Sequence, residues 1–260
     1  MSEPQPYYTA LGGARFESTV HAQGAWNPHE QHMAPVSGIL THCLEAFQPR
    51  TELRMARIGF DILGQIPGGE FEVVTSMLRP GRTIELVQAE LIAAGRTAVR
   101  ATAWRLQRSD TRSVAAVEDA PMPARDGASE PVPLTDWPGG YVRSIDVYPV
   151  SGHRAGRGSV WLRTPHPLIA DAPFSEFAAL IGLVDTTNGV AVRVPPGSEY
   201  AFPNVDLQIH LYREPAGRWL GLQNSVSFGS DGIGLTSSVL HDESGPFGRA
   251  EQILTLRRVQ

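Results

Sequence analysis

The order of turns and apolar runs in this chain occurs twice, and that duplication restricts its fold more than any other feature. Pro67-Gly68-Gly69-Glu70-Phe71 falls on Pro215-Ala216-Gly217-Arg218-Trp219, and the same shift of 148 residues puts Gly81 on Gly229. A shift of 149 puts Arg100-Ala101 on Arg249-Ala250. Each half carries one helical stripe and then four strand-like runs. In the first, Val36, Ile39, Leu40, Cys43, Leu44 and Phe47 share one face of a helix predicted from about His29 to Phe47, and Pro49 stops it. Arg15–Val20 reads as a preceding strand. Strands are predicted at Leu53–Leu63, Glu70–Leu78, Thr83–Ala93 and Thr97–Gln107, separated by Pro- and Gly-containing turns. In the second half, Tyr141–Val150 and Ser159–Arg163 are strand-like. Phe174–Val184 is predicted helical, with Ser175 as N-cap and Phe177, Leu180, Ile181 and Val184 on one face. Strands follow at Val205–Tyr212, Trp219–Phe228, Gly234–His241 and Gly248–Arg257. Agreement of turn, helix position and strand count together predicts one α+β unit used twice.

Residues 1–108 are expected to form the first unit and 141–260 the second. Between them 109–140 loses periodicity, is rich in Pro, Asp, Glu, Ala and Gly, and reads as a linker. A length of 260 residues suits two units of ordinary size, and 42% hydrophobic residues suffice for a buried core. The net charge of −5 argues against nucleic acid or an anionic membrane as partner. No run approaches the ~20 apolar residues of a spanning helix. Cys43 is the sole cysteine, which excludes an intrachain disulfide and a Cys-based zinc site. Met1–Ala10 has neither a basic start nor an apolar core, so a cytoplasmic setting is expected. Exposed sheet edges predict association into a homo-oligomer.

The two copies differ in chemistry. Asp206 to Tyr212 alternates strictly: Leu207, Ile209 and Leu211 share the face expected against the helix, and Asp206, Gln208, His210 and Tyr212 share the other. That polar face is available to line a site. Ser227 closes the next strand beside Ser225 and Gln223. Gln252, between Ala250 and Leu254, needs a hydrogen-bond partner if buried. The matching first-half positions are Ile58, Arg79 and Ala103, so only the second half carries an acid–hydroxyl–amide set. Taken singly, Asp206 and Ser227 also suit ordinary solvated strand positions. Asp185 is a further candidate acid, but leading into Thr186-Thr187-Asn188-Gly189 it reads as turn chemistry. Cys43 sits on the core stripe as packing. His29-Glu30-Gln31-His32-Met33 lacks the second His of a zinc-protease helix, and no G-x-S-x-G, complete G-x-G-x-x-G or P-loop occurs.

These blocks resemble the acyl-CoA thioesterase II family. Arg79-Pro80-Gly81-Arg82 is similar to the family's first-half turn. Val205 to Leu211, Gly217 to Leu222, Phe228 to Gly232 and Arg249 to Gln252 are similar to its second-half blocks, and the likeness covers nearly the whole chain. The resemblance implies a double hotdog, two antiparallel sheets each wrapped around a long helix. It also implies an acyl-CoA substrate, no metal and no organic cofactor. In the family an Asp, a Thr or Ser, and a Gln of the C-terminal half orient the hydrolytic water, which by position makes Asp206, Ser227 and Gln252 the expected catalytic set. Asp206, ionised at neutral pH with an ordinary pKa of about 3.9, would take the water's proton. The family's Gly-rich start to the first helix is replaced here by His32-Met33-Ala34-Pro35. His32, Met33 and Ala34 are therefore the expected substrate contacts, with backbone N–H groups near Met33 and Ala34 meeting the oxyanion. Two rivals stand beside hydrolysis: a hotdog enoyl-CoA hydratase using Asp206 and His210, and a non-hydrolysing acyl-CoA or lipid binder.

Overall fold

The structure, a computed structural model, describes residues 4–125, 130–134 and 136–259. The readings made for 1–10 and for the linker 109–140 fall partly outside that range. The strands are β1 (Tyr8–Gly12), β2 (Arg15–Ser18), β3 (Leu53–Ile62), β4 (Glu70–Arg79), β5 (Ile84–Ala93), β6 (Arg96–Gln107), β7 (Asp146–Pro149) and β8 (Arg157–Arg163). They continue with β9 (Tyr200–Ala201), β10 (Asp206–Leu211), β11 (Leu220–Phe228), β12 (Ile233–Asp242), β13 (Gly245–Thr255) and β14 (Arg257–Arg258). The helices are α1 (Met33–Ala46), α2 (Glu176–Ile181) and α3 (Thr187–Val190). None of them is long and apolar enough to cross a membrane.

Twelve strands form one sheet in the order β1-β2-β4-β5-β6-β3-β10-β13-β12-β11-β8-β7, and β14 pairs separately with β9. From the centre outward the two halves run in matching order. The halves meet at β3 and β10, antiparallel, with Gln208 opposite Gly59 and His210 opposite Arg57. Two separate sheets were expected; this seam joins them into one. The alternation in β10 is obeyed, since Leu207 and Ile209 have no exposed surface and pack into the core. Val36, Ile39, Leu40 and Leu44 of α1 are likewise fully buried. Each such side chain contributes roughly 1.5–3 kcal/mol on leaving water.

Helix α1 begins at Met33, later than the start predicted near His29. The backbone of residues 29–32 is tied to other segments: Gln31 N–H donates to Ile66 O (2.8 Å), His32 N–H to Ala22 O (2.7 Å), and His29 O accepts from Gly68 (2.9 Å). His32 then caps the helix, its Nδ1 accepting from the Ala34 N–H at 3.0 Å. Pro35 fits the first turn because that turn's N–H groups have no intrahelical partner.

The second helix departs further from expectation. Ser175 does cap it, accepting from the Ala178 N–H at 2.9 Å. The helix is six residues long, against 14 for α1, and gives way at Gly182 to a 3-10 turn over Val184–Thr186 and then α3. The expected pair of long helices is thus one long helix and one interrupted one. The interruption coincides with the crossing of α1 and α2. A Cβ on Gly38 would lie 3.0 Å from Gly182 Cα and 3.1 Å from Ala178 O, so backbone rests on backbone. Ser37 Oγ reinforces the crossing by donating to Ile181 O at 2.9 Å.

The connection between the halves has little regular structure, yet its described residues are docked. Val132 N–H donates to Val147 O (2.7 Å) and Tyr141 N–H to Gln23 O (3.1 Å). Gly139 and Gly140 permit the second contact: a Cβ at Gly140 would fall 1.6 Å from Val20 O, and Gly139 has φ +106°.

Gly38→Val should lower the unfolding free energy by about 1–3 kcal/mol through overpacking of the crossing. Gly38→Ala should cost less, because alanine regains up to ~1 kcal/mol of helix propensity. Urea titration of the two variants against wild type measures both.

Candidate active site

The segment that follows the crossing is held by a buried polar network. Thr187 Oγ1 donates to Asn224 Oδ1 (2.9 Å), and Asn224 Nδ2 donates back to Thr187 O (2.8 Å). Ser238 Oγ donates to the same Asn224 Oδ1 (2.8 Å) and also contacts the Thr187 hydroxyl. Asn188 Nδ2 reaches Phe202 O (3.2 Å). These bonds pin Thr187 against the inner side of β11 and β12 and tie Asn188 to Phe202, and with them they hold Asp185, two residues before Thr187.

Asp185 is 4% exposed. Its Oδ1 accepts from Gln252 Nε2 at 2.6 Å and from Asn204 Nδ2 at 2.9 Å. Gln252, fully buried on β13, thereby gains the partner its burial requires, while its Oε1 has no protein partner among the described residues. The other oxygen of Asp185, Oδ2, lies 3.6 Å from His32 Nδ1 at the start of α1. Tyr141 completes this end of the cavity. Its hydroxyl lies 2.6 Å from Thr186 Oγ1, and its ring stacks on His32 at 4.3 Å between centroids. Asp185, His32, Tyr141 and Asn204 face a cavity of about 470 Å³, its open mouth included.

Burial pushes Asp185 up to about 7, against the opposing pull of the Asn204 and Gln252 amides. Burial pushes His32 down to about 3. Because His32 Nδ1 already accepts the Ala34 N–H, the ring carries its proton on Nε2 and is neutral. The close approach of His32 and Asp185 is therefore no ion pair, and the histidine leaves the acid's proton affinity to burial.

The expected catalytic residues do not meet. Gln252 lies inside the fold, whereas Asp206 and Ser227 lie on the outer surface of the sheet. Asp206 Oδ1 accepts from the Ile253 N–H (2.7 Å) and Oδ2 from Gln208 Nε2 (3.4 Å), so its carboxylate secures neighbouring strands. Ser227 is exposed on the outer face of β11. The reason is geometric: the alternation that turns Leu207 toward the helix turns Asp206 away from it, and the cavity is on the helix side. Of the expected substrate contacts, His32 lines the cavity, and Met33 and Ala34 are buried beside it in the first turn. Two residues of the observed cluster come from elsewhere. Asp185 sits in a sequence with turn composition, and Asn204 occupies the irregular stretch just before β10. The buried Gln252 was the available signal, since its amide needs an acceptor and Asp185 is one.

The halves match two parts of one family. Residues 22–106 match the acyl-CoA thioesterase N-terminal domain and residues 114–256 the acyl-CoA thioesterase C-terminal domain. The chain belongs to the acyl-CoA thioesterase family and is an enzyme of that class. Solved structures agree on the fold. An acyl-CoA thioesterase II from Mycobacterium marinum is 16% identical, with 97% of this chain and 95% of that one covered and a TM-score of 0.67. A protein with a hot dog fold from Alicyclobacillus acidocaldarius is 15% identical, with 96% of each chain covered and a TM-score of 0.72. The tesB protein of Mycobacterium avium subs paratuberculosis is 16% identical, with 96% and 95% covered and a TM-score of 0.65. At such identities the likeness establishes the hotdog fold alone. Among curated proteins, none matches this chain by sequence.

Asp185 binds its proton more tightly folded than unfolded, since its folded pKa of about 7 exceeds the ordinary carboxylate value. Its stabilising contribution is full below pH ~4 and is lost as pH rises through about 7. Asp185→Asn keeps an acceptor for both amides and removes the buried charge. At pH 8 it should be more stable than wild type, by up to about 4 kcal/mol, with the gap closing toward pH 5. Thermal melts of both proteins at the two pH values test this.

Proposed function

We propose that the enzyme hydrolyses acyl-CoA by general-base attack of water, with Asp185 as the base and Gln252 and Asn204 as the groups that position it. The observation that carries this reading is the doubly amide-bonded, buried Asp185 carboxylate facing a cavity at the start of α1. A base whose pKa lies near the working pH combines a useful ionised fraction with a real affinity for the water's proton, and such help is typically worth roughly 10²–10⁴ in rate. Asp185 Oδ2 is the oxygen assigned to the water, because Oδ1 already accepts two hydrogen bonds. Gln252 Oε1, which has no partner among the described residues, offers an acceptor for the water's second hydrogen.

Attack on the thioester carbon converts its carbonyl oxygen to an oxyanion. The Ala34 N–H is committed to His32, and Pro35 has none, so the Met33 N–H at the positive end of α1 is the first-turn donor assigned to that charge. As the tetrahedral species collapses, the C–S bond breaks and the CoA sulfur leaves with the proton held by Asp185. Carboxylic acid and free thiol are the products, and the base is restored. The hydratase alternative loses its proposed pair on geometry, since Asp206 and His210 share the outer face of β10, away from the cavity.

Thiol release from acyl-CoA should fall about 10²–10⁴-fold in Asp185→Asn, with Gln252→Leu also impaired. Asp206→Asn should stay within about twofold of wild type, as expected for a side chain outside the water's reach. A collapse in Asp206→Asn with an active Asp185→Asn would reverse the assignment. In wild type, kcat/KM should rise with pH through about 7 and level above it, because the ionised carboxylate is the active form. A rate that falls over that range is incompatible with Asp185 as base.

A further inference from the structure

The connection between the halves does more than span them. Trp137, which it contributes, lines the Asp185 cavity together with Val142 and Ile145 from just beyond. Trp26, from the loop before α1, lines the same cavity. Trp137 and Trp26 meet edge to face at 5.3 Å between ring centroids. Phe202 backs both, 5.5 Å from Trp26 and 5.9 Å from Trp137, each nearly perpendicular. Such perpendicular arrangements are the favoured ones for aromatic pairs at this spacing, so the three rings hold one another in place. Phe202 is itself anchored, its carbonyl accepting from Asn188 in the segment that follows Asp185. Trp137 also lies over that segment: a Cβ at Gly189 would sit 3.6 Å from its indole nitrogen.

The cavity is therefore polar where Asp185, Asn204 and His32 stand and apolar where the connection walls it. Its enclosed room, about 50 Å³, is small for a ligand pocket. A thioester carbonyl placed at the polar end sends its acyl chain along the apolar wall. That wall ends on indole rings braced from behind.

We propose that Trp137, braced by Trp26 and Phe202, is the specificity-determining wall of this site and restricts the enzyme to short acyl chains. The proposal rests on the reading of Asp185 as the hydrolytic base, and it extends that reading to substrate class. The selective element is then the inter-half connection, not either sheet. Removing the indole opens the apolar end and leaves the Asp185–Gln252–Asn204 cluster intact.

The test is kcat/KM for saturated acyl-CoAs from acetyl to palmitoyl, measured for wild type, Trp137→Phe and Trp137→Ala. Wild type should favour the short end. Trp137→Ala should raise the long-to-short ratio by about tenfold or more, the order expected when an apolar pocket gains room for additional methylenes, and Trp137→Phe should shift it less. S-alkyl-CoA thioethers of the same chain lengths, which have no thioester to cleave, are titrated in parallel for affinity. If no acyl-CoA releases thiol, the hydrolase reading fails, and thioether affinities alone still judge the wall. Wild type favouring palmitoyl over acetyl in both series overturns the proposal. So does an unchanged long-to-short ratio in Trp137→Ala. Should that variant lose its cooperative melt, Trp137→Leu keeps an apolar side chain there and carries the same comparison.

Discussion

Backbone-to-backbone contact between α1 and α2 is the constraint on which the site depends. Gly38 and Gly182 have no side chains to hold the helices apart, so the two axes approach closely at that point. One helix then leads back through Ser37 to its own start at His32, and the other leads forward within three residues to Asp185. A carboxylate from one half thereby comes within 3.6 Å of the helix cap of the other. Larger residues at the crossing would push apart the two ends that meet at the cavity. The second helix is interrupted at the same contact: at Gly182 the α-helix gives way to the 3-10 turn that carries Asp185 to the cavity.

Around Asp185 the protein sets two opposing effects against each other. Removal of water destabilises the carboxylate, and two amide donors restore part of what is lost. Burial prevails, leaving an acid that changes charge near neutrality. The neighbouring Thr187–Asn224–Ser238 network has the reverse character, since every one of its members is neutral and hydrogen-bonded. The satisfied network holds the segment still, and the strained charge sits on it. His32 belongs to the first kind: as cap and stacking partner of Tyr141 it shapes the cavity without adding charge.

Much of the fold is legible in the sequence because it is written in period and repetition. The stripe from Val36 to Leu44, the alternation from Asp206 to Leu211 and the recurring Pro-Gly turns each have one physical reading. Two features are not legible. Alternation shows that β10 has two unlike faces but not which of them a site will use, so a polar face suggested a lining where the structure has solvent. The joining of the sheets at β3 and β10 is likewise invisible locally, because neither strand has a composition marking it as a seam. Of the site, Gln252 carries the clearest signal, as an amide among apolar neighbours. Asp185 does not, because Asp-Thr-Thr-Asn-Gly has the composition of an ordinary turn until the hydrogen bonds of Thr187 and Asn188 are seen.

The antiparallel seam between β3 and β10 has a consequence for how the protein works when dilute. Because both halves lie on one chain and share a continuous ladder, the helix cap and the carboxylate never have to find each other by diffusion. Assembly of the cleft is a first-order event, completed once per folded molecule. Bringing the cap and the carboxylate together therefore needs no encounter between molecules.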